Sequence, residues 1–127
     1  MVFEEITPTN VAPTVGNYAA AVSVPQPKRM LFISGQIPTL EDGAVPQNFA
    51  AQAEAVWENI GKTLKAAGMG YTNLAKVNTY LTDCSQADLN GEIRRKFLGS
   101  HRPALTVVVV QTLDPVWLLE IEALAVG

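Results

Sequence analysis

Residues 48–68 read NFAAQAEAVWENIGKTLKAAG, and residues 74–81 read LAKVNTYL. In the first run Phe49, Ala53, Val56, Ile60, Leu64 and Ala67 recur at steps of three and four, which lines them up as one apolar stripe on a helix. The spacing predicts a helix over 48–67, with Gly68 as the glycine that ends it. The second run sets Leu74, Lys76, Asn78 and Tyr80 against Ala75, Val77, Thr79 and Leu81. That period of two predicts a strand with one apolar face. A long amphipathic helix feeding a half-buried strand points to a layered α+β fold.

Working outward, 19–24 is short and apolar, Pro25-Gln26-Pro27-Lys28 reads as a turn, and 30–33 is strand-like, so a hairpin is expected here. After the central strand, 83–88 is a polar connection. A second helix is expected over 89–98, with Asp88 as its cap and Gly99 closing it. Strands over 105–110 and 118–126 follow, separated by a turn at Asp114-Pro115. The predicted order is β-β-α-β-α-β-β in a single domain, 1–127, with two helices on one face of the sheet. The strand over 105–110 is apolar on both faces: Leu105, Val107 and Val109 on one, Val108 and Val110 on the other. Neither face suits water, so another subunit is expected to cover the side that the helices leave open.

Composition agrees with surface lost to partners. The chain has 127 residues, enough for one core that buries about two thirds of the unfolded surface. Hydrophobic residues make up 48% and charged residues only 17%, a low charged share for a small monomer. The net charge of -3 and pI near 5.0 give no basic footprint for nucleic acid. The densest basic cluster, Arg94-Arg95-Lys96, reads as a solvated helix face. A single cysteine, Cys84, excludes an internal disulfide and a cysteine metal cluster, which suits a reducing compartment. With no basic, apolar leader and no run approaching the ~18 apolar residues of a membrane span, a cytoplasmic location is expected.

Phosphate-binding glycine loops and the HExxH, CxxC and GxSxG patterns are absent from the sequence, so nucleotide and zinc chemistry have no support and no metal site is expected. His101, the one histidine, stands beside Arg102 and Pro103 in a loop and reads as a surface residue. Glu120 and Glu122 share one strand face, roughly 7 Å apart, beside Leu118, Leu124 and Val126. They read either as an acid-base pair with a raised pKa or as carboxylates that meet solvent or a basic group. Ser34-Gly35 after an apolar strand offers a hydroxyl and close backbone approach to a ligand, or a strand-end turn. Tyr18 and Asn90 have packing and capping as their ordinary roles.

Taken together, Gly16-Asn17-Tyr18, the run from Leu31 to Pro38, Asn59-Ile60, Ala67-Gly68, the run from Lys76 to Asp83, Pro103-Ala104 and Glu120-Ile121-Glu122-Ala123 resemble the RidA family, also called YjgF or L-PSP. The resemblance covers essentially the whole chain. It implies a chorismate-mutase-like α+β fold, a homotrimer with small-molecule sites in clefts between subunits, and cofactor-free hydrolysis of enamines or imines to a carbonyl compound and ammonia. Carried over position by position, the pocket takes Tyr18, Ser34, Gly35, Asn90 and Glu120, with Glu120 placing or activating the attacking water. Two pocket positions depart from the family: Leu105 replaces the arginine that holds a substrate carboxylate, and Val107 replaces a cysteine. Ile93 stands at a tyrosine-like position.

An arginine fork on a carboxylate is a strong charge-assisted contact. Its loss at Leu105 leaves Glu120 facing any anion without a countercharge, so the sequence favours a neutral substrate. Arg102, Arg94, Arg95 and Arg29 are the cations from which a replacement would come. The alternative reading is a trimeric small-molecule-binding protein of the same fold that no longer catalyses. A ribonuclease or translation-inhibitor role is opposed by the acidic pI and the lack of a basic stripe.

Overall fold

The computed structural model describes residues 3–127. Its strands are β1 (Glu4–Ile6), β2 (Ala21–Ser23), β3 (Met30–Gln36), β4 (Leu74–Leu81), β5 (Ala104–Val109) and β6 (Leu119–Val126); its helices are α1 (Phe49–Ala66) and α2 (Ala87–Leu98). The main sheet has the order β3-β6-β4-β5. β4 and β5 are parallel, and α2 lies in the crossover that such a pair requires. The other two pairings are antiparallel. The α+β class and the helix–strand alternation agree with the sequence reading.

α1 forms where its stripe predicts. The Asn48 side chain accepts from the Ala51 N–H at 2.8 Å, and Gly68, at φ +72°, takes the left-handed turn past the end. Ala53, Val56, Trp57, Ile60 and Leu64 are buried against Ile33, Leu74, Val77, Leu81, Leu119, Ile121, Ala123 and Ala125 of the sheet, and Ile93 and Leu98 bring α2 into the same core. Gln52 is also buried, yet fully used. Its amide donates to Pro46 O and Val116 O and accepts from Leu118 N–H, all at 2.8–2.9 Å, which pins the loop entering β6 onto the helix.

Three local readings are corrected. The expected hairpin of 19–24 with 30–33 does not form; β2 pairs antiparallel with β1, and β3 pairs with β6 at the far end of the chain. Two prolines between β2 and β3 remove ladder donors and leave a connection too long for a tight turn, so long-range pairing prevails. β1 escaped notice because Glu4-Glu5-Ile6 is short and charged. In β4, a register shift between Leu74 and Lys76 inserts Ala75 as an extra residue and turns Leu74 into the core with Val77. α2 begins at Ala87, before the expected Leu89. Asp88 lies in its first turn, where a negative charge suits the helix dipole, while Asp83 caps the preceding short turn through Ser85 N–H at 2.8 Å.

The two helices meet through aromatic rings. Trp57 stacks on Phe97 with centroids 6.1 Å apart, Tyr71 meets Phe97 edge-on at 5.9 Å, and the Tyr71 hydroxyl donates to Trp57 O at 2.8 Å. The Tyr71 hydroxyl occupies the space a side chain would need at Gly61. Gly61→Ala gains about 1 kcal/mol of helix propensity but must displace this hydroxyl, with overpacking costs of about 1–3 kcal/mol and a lost hydrogen bond. The expected net loss is about 1–2 kcal/mol by urea unfolding; a more stable variant would show that Tyr71 has no such hold on α1.

Candidate functional site

A cavity of about 620 Å³ opens between the segment around Tyr18, helix α2 and strand β5, and it gathers Tyr18, Asn90, Leu105 and Val107. Each has a clear reason to be there. The chain at Ala19 lies alongside Ala104 in an isolated parallel bridge, with Ala19 N–H donating to Pro103 O at 3.2 Å. Arg102 fastens the same segment: its guanidinium donates to Tyr18 O at 2.8 Å, to Asn17 Oδ1 at 2.7 Å and to the Glu5 carboxylate at 2.9 Å. Leu105 pairs with Val77 and packs against the core, and Val107 pairs with Thr79. Asn90 is only 2% exposed, and its Oδ1 has no hydrogen-bond partner.

A second group forms around β3 and β6. The pairing runs Ile33 with Ala123 and then Gln36 with Ile121, so Ser34-Gly35 carries one residue more than the partner strand. This bulge brings the Gly35 backbone against the Glu120 carboxylate so closely that a Cβ at position 35 would collide with it. Glycine is required here by contact rather than by dihedral angle. Ser34 and Glu122 line a separate cavity of about 370 Å³ with Phe32, Lys76 and Asn78.

Across the sheet, Glu120 pairs with Tyr80 and Glu122 with Asn78. Glu122 Oε1 accepts from the Tyr80 hydroxyl at 2.5 Å and from Asn78 Nδ2 at 3.1 Å. These two donors, Tyr80 first, hold the Glu122 carboxyl below its usual pKa, and the same bond raises that of the Tyr80 phenol. The raised-pKa reading is therefore corrected for Glu122: its face is polar where β4 crosses it. Tyr80 and Asn78 were not singled out in the sequence because only the β4–β6 register reveals what they meet.

The seven carried-over positions thus fall into two sets, Tyr18, Asn90, Leu105 and Val107 in one and Ser34, Gly35 and Glu120 in the other. The two cavities share no lining residue. β3 and β5 are separated by two intervening strands, roughly 14 Å at ordinary strand spacing. Neither cavity gathers both sets.

The candidate cations also sort themselves. Arg102 is engaged as described, and Arg29 donates to Ala67 O at 2.9 Å, away from the cavity. Arg94 and Arg95 line the cavity beside Leu105. The reading of 94–96 as a solvated face fails for Arg94, which is 7% exposed. Its signal was available, since Asn90, Arg94 and Leu98 fall on one helical stripe. His101 is likewise not a free surface residue; its Nε2 lies 2.7 Å from Leu74 O and its ring meets Phe3 edge-on. Among the described residues no cluster of three or more histidine, cysteine or acidic side chains fits a metal ion, and no helix is long and apolar enough to cross a membrane.

A family model described as Endoribonuclease L-PSP matches residues 9–127. The chain is 32% identical over 128 residues to a Rattus norvegicus protein named 2-iminobutanoate/2-iminopropanoate deaminase, covering 98% of this chain and 91% of that one. A RutC family protein of Pyrococcus horikoshii is 33% identical, with 96% of each chain covered. Among solved structures, a Yersinia pestis protein described as belonging to the conserved Rid family superposes with a TM-score of 0.86 at 29% identity, over 100% of both chains. Matched in sequence from residue 9 to its last residue and in fold throughout, the chain belongs to the RidA family, also called YjgF or L-PSP.

Proposed function

We propose that this protein hydrolyses a small imine or enamine to the carbonyl compound and ammonia, without a cofactor, in a cleft completed by a neighbouring copy in a homotrimer. The observation that carries the reading is the Glu120 carboxylate seated on the Gly35 backbone at the β3 bulge. Both neighbouring donors, Tyr80 and Asn78, are taken by Glu122, which leaves Glu120 as an acceptor for water. The rat relative's name, an imine deaminase, supports the same chemistry.

In the proposed reaction Glu120 accepts a proton from water as its oxygen bonds to the imine carbon. The C=N electron pair moves to nitrogen, which takes up a proton, giving a carbinolamine. Its C–N bond then breaks, ammonia leaves, and loss of the hydroxyl proton forms the carbonyl. The reaction balances as imine plus water giving carbonyl compound plus ammonia, with the water oxygen ending in the carbonyl group and both water hydrogens in the ammonia. An enamine enters by protonation on carbon. Glu122, held ionised by its two donors, contributes negative charge that favours the cationic protonated imine. Leu105 takes the positive charge off the β5 wall, so no substrate carboxylate is held from that wall; the charge of the cavity as a whole is set by α2.

The trimer is supported by what one chain leaves unfinished. Phe32 on the open sheet face is 75% exposed, and Val107, Val108 and Val109 are exposed on the edge strand. A neighbour covering these surfaces buries them and brings the two half-sites together.

Glu120→Gln and Gly35→Ala should each lower ammonia release from an imine generated in situ by an amino-acid oxidase, by roughly 10²–10⁴-fold. Ligand binding without ammonia release in the unaltered protein would instead mark a binding protein. Phe32→Asp should reduce the trimeric mass in light scattering, and a monomeric wild type would remove the shared cleft. Glu122 contributes stability that is present above the ordinary carboxylate range and lost as pH falls through its depressed pKa. Tyr80→Phe should therefore raise the Glu122 titration midpoint in carboxyl-carbon NMR and move acid destabilisation to higher pH; an unchanged midpoint would show that the tyrosine bond is not the cause.

A further inference from the structure

Helix α2 sets Asn90 and Arg94 one turn apart on the wall of the larger cavity, and the chain leaves both without an evident partner. Asn90 Oδ1 is buried and unbonded. Arg94 is buried, yet the ion pairs among described residues are Lys96–Glu54 and Arg102–Glu5. Asp88 and Glu92 line the same cavity from exposed positions on α2, and neither comes within 4.0 Å of an Arg94 nitrogen. Gly91 explains how the guanidinium fits. A Cβ at that position would lie 3.8 Å from Arg94 Nη2 and 3.3 Å from Arg95 Nη1, so both arginines fold over the bare glycine at the cavity wall.

Two like charges are thereby brought together, one of them partly desolvated. Burial, and then the Arg95 charge, push the Arg94 pKa below the usual arginine range, with Tyr18 opposing. Guanidinium nevertheless stays protonated in proteins. A partly desolvated cation without an ion-pair partner at a cavity wall is best satisfied by an anion that enters the cavity. On the other side of the cavity, Tyr18, Leu105 and Val107 supply an apolar wall.

We propose that Arg94, assisted by Arg95, is the specificity-determining residue of this cavity, holding the carboxylate of a small organic acid from the α2 side while Leu105, Val107 and Tyr18 pack its apolar body. Asn90 lies one turn away as an acceptor for an N–H on the same ligand. The inference deepens the imine-hydrolase reading, on whose cleft it rests, and it replaces the neutral-substrate expectation drawn from Leu105: the charge is moved from strand to helix rather than removed.

Benzoate and benzamide test this, because they match in size and differ in charge. Isothermal titration should give benzoate at least tenfold tighter than benzamide in the wild type. Arg94→Met should bring that ratio close to one with benzamide binding kept, Arg94→Lys should restore part of it, and Arg95→Met should lower it severalfold. Four results overturn the proposal: no benzoate binding at millimolar concentration, equal binding of the two probes to wild type, a ratio that survives Arg94→Met, or inorganic phosphate binding tighter than benzoate. If Arg94→Met leaves the ratio intact but lowers the oligomeric mass, the arginine is a contact between copies and the proposal falls. The two readings fail separately: charge discrimination without ammonia release sinks the hydrolase and keeps the anion site, whereas hydrolysis of a neutral imine with no response to benzoate does the reverse.

Discussion

The last strand of the chain lies inside the sheet rather than at its edge, and most of the architecture follows from that placement. β6 pairs with β3 on one side and β4 on the other, and it packs against α1, so its alternation is read by two strands and by the helix layer. Leu119, Ile121, Ala123 and Ala125 face the helices and are buried, while Glu120 and Glu122 face the open side. A slip of one residue would exchange the two sets, exposing the apolar row and driving two carboxylates into the core. The Gln52 amide, bound to the backbone of Val116 and Leu118 just before β6, guards that register from the helix layer.

Two chemically identical side chains on that strand acquire different roles from their cross-strand neighbours. Glu122 meets Asn78 and Tyr80 and is fixed as an anion; Glu120 meets the glycine of a bulge and keeps its oxygens available. The difference comes from one extra residue in β3 and from the side chains that β4 presents, neither of which is near the glutamates in sequence. The arginine question has the same character. Position 105 lies on a strand and position 94 on a helix, yet both line one cavity, so a charge absent from one wall is supplied by the other.

How much of this was legible from the residues follows the range of the interactions. The helix over 48–67 and the strand over 74–81 are written in local periodicity, and both form, with Ala75 as the one irregularity. The pairing of β1 with β2 was illegible because three residues carry no period and their partner lies far along the chain. The candidate site residues were named through the family resemblance, but their distribution over two different cavity walls and strands was not legible, since it depends on strand order. Arg94 was misread because charge outweighed position: its place on the stripe of Asn90 and Leu98 was visible, and the basic run around it suggested solvent instead.

Arg102 ties Glu5, Asn17 and Tyr18 to the start of β5, and both partners of its ion pair remain partly open to water. Screening acts on such a pair, with a Debye length of about 8 Å at physiological ionic strength and about 3 Å at 1 M. The Tyr18 wall of the larger cavity is therefore held by a clasp whose grip varies with the ionic medium, whereas the Leu105 wall belongs to the apolar core and does not respond to it. Packing fixes the strand that lines the pocket, while the segment beside it is held partly by backbone bonding and partly by an ion pair open to electrolyte.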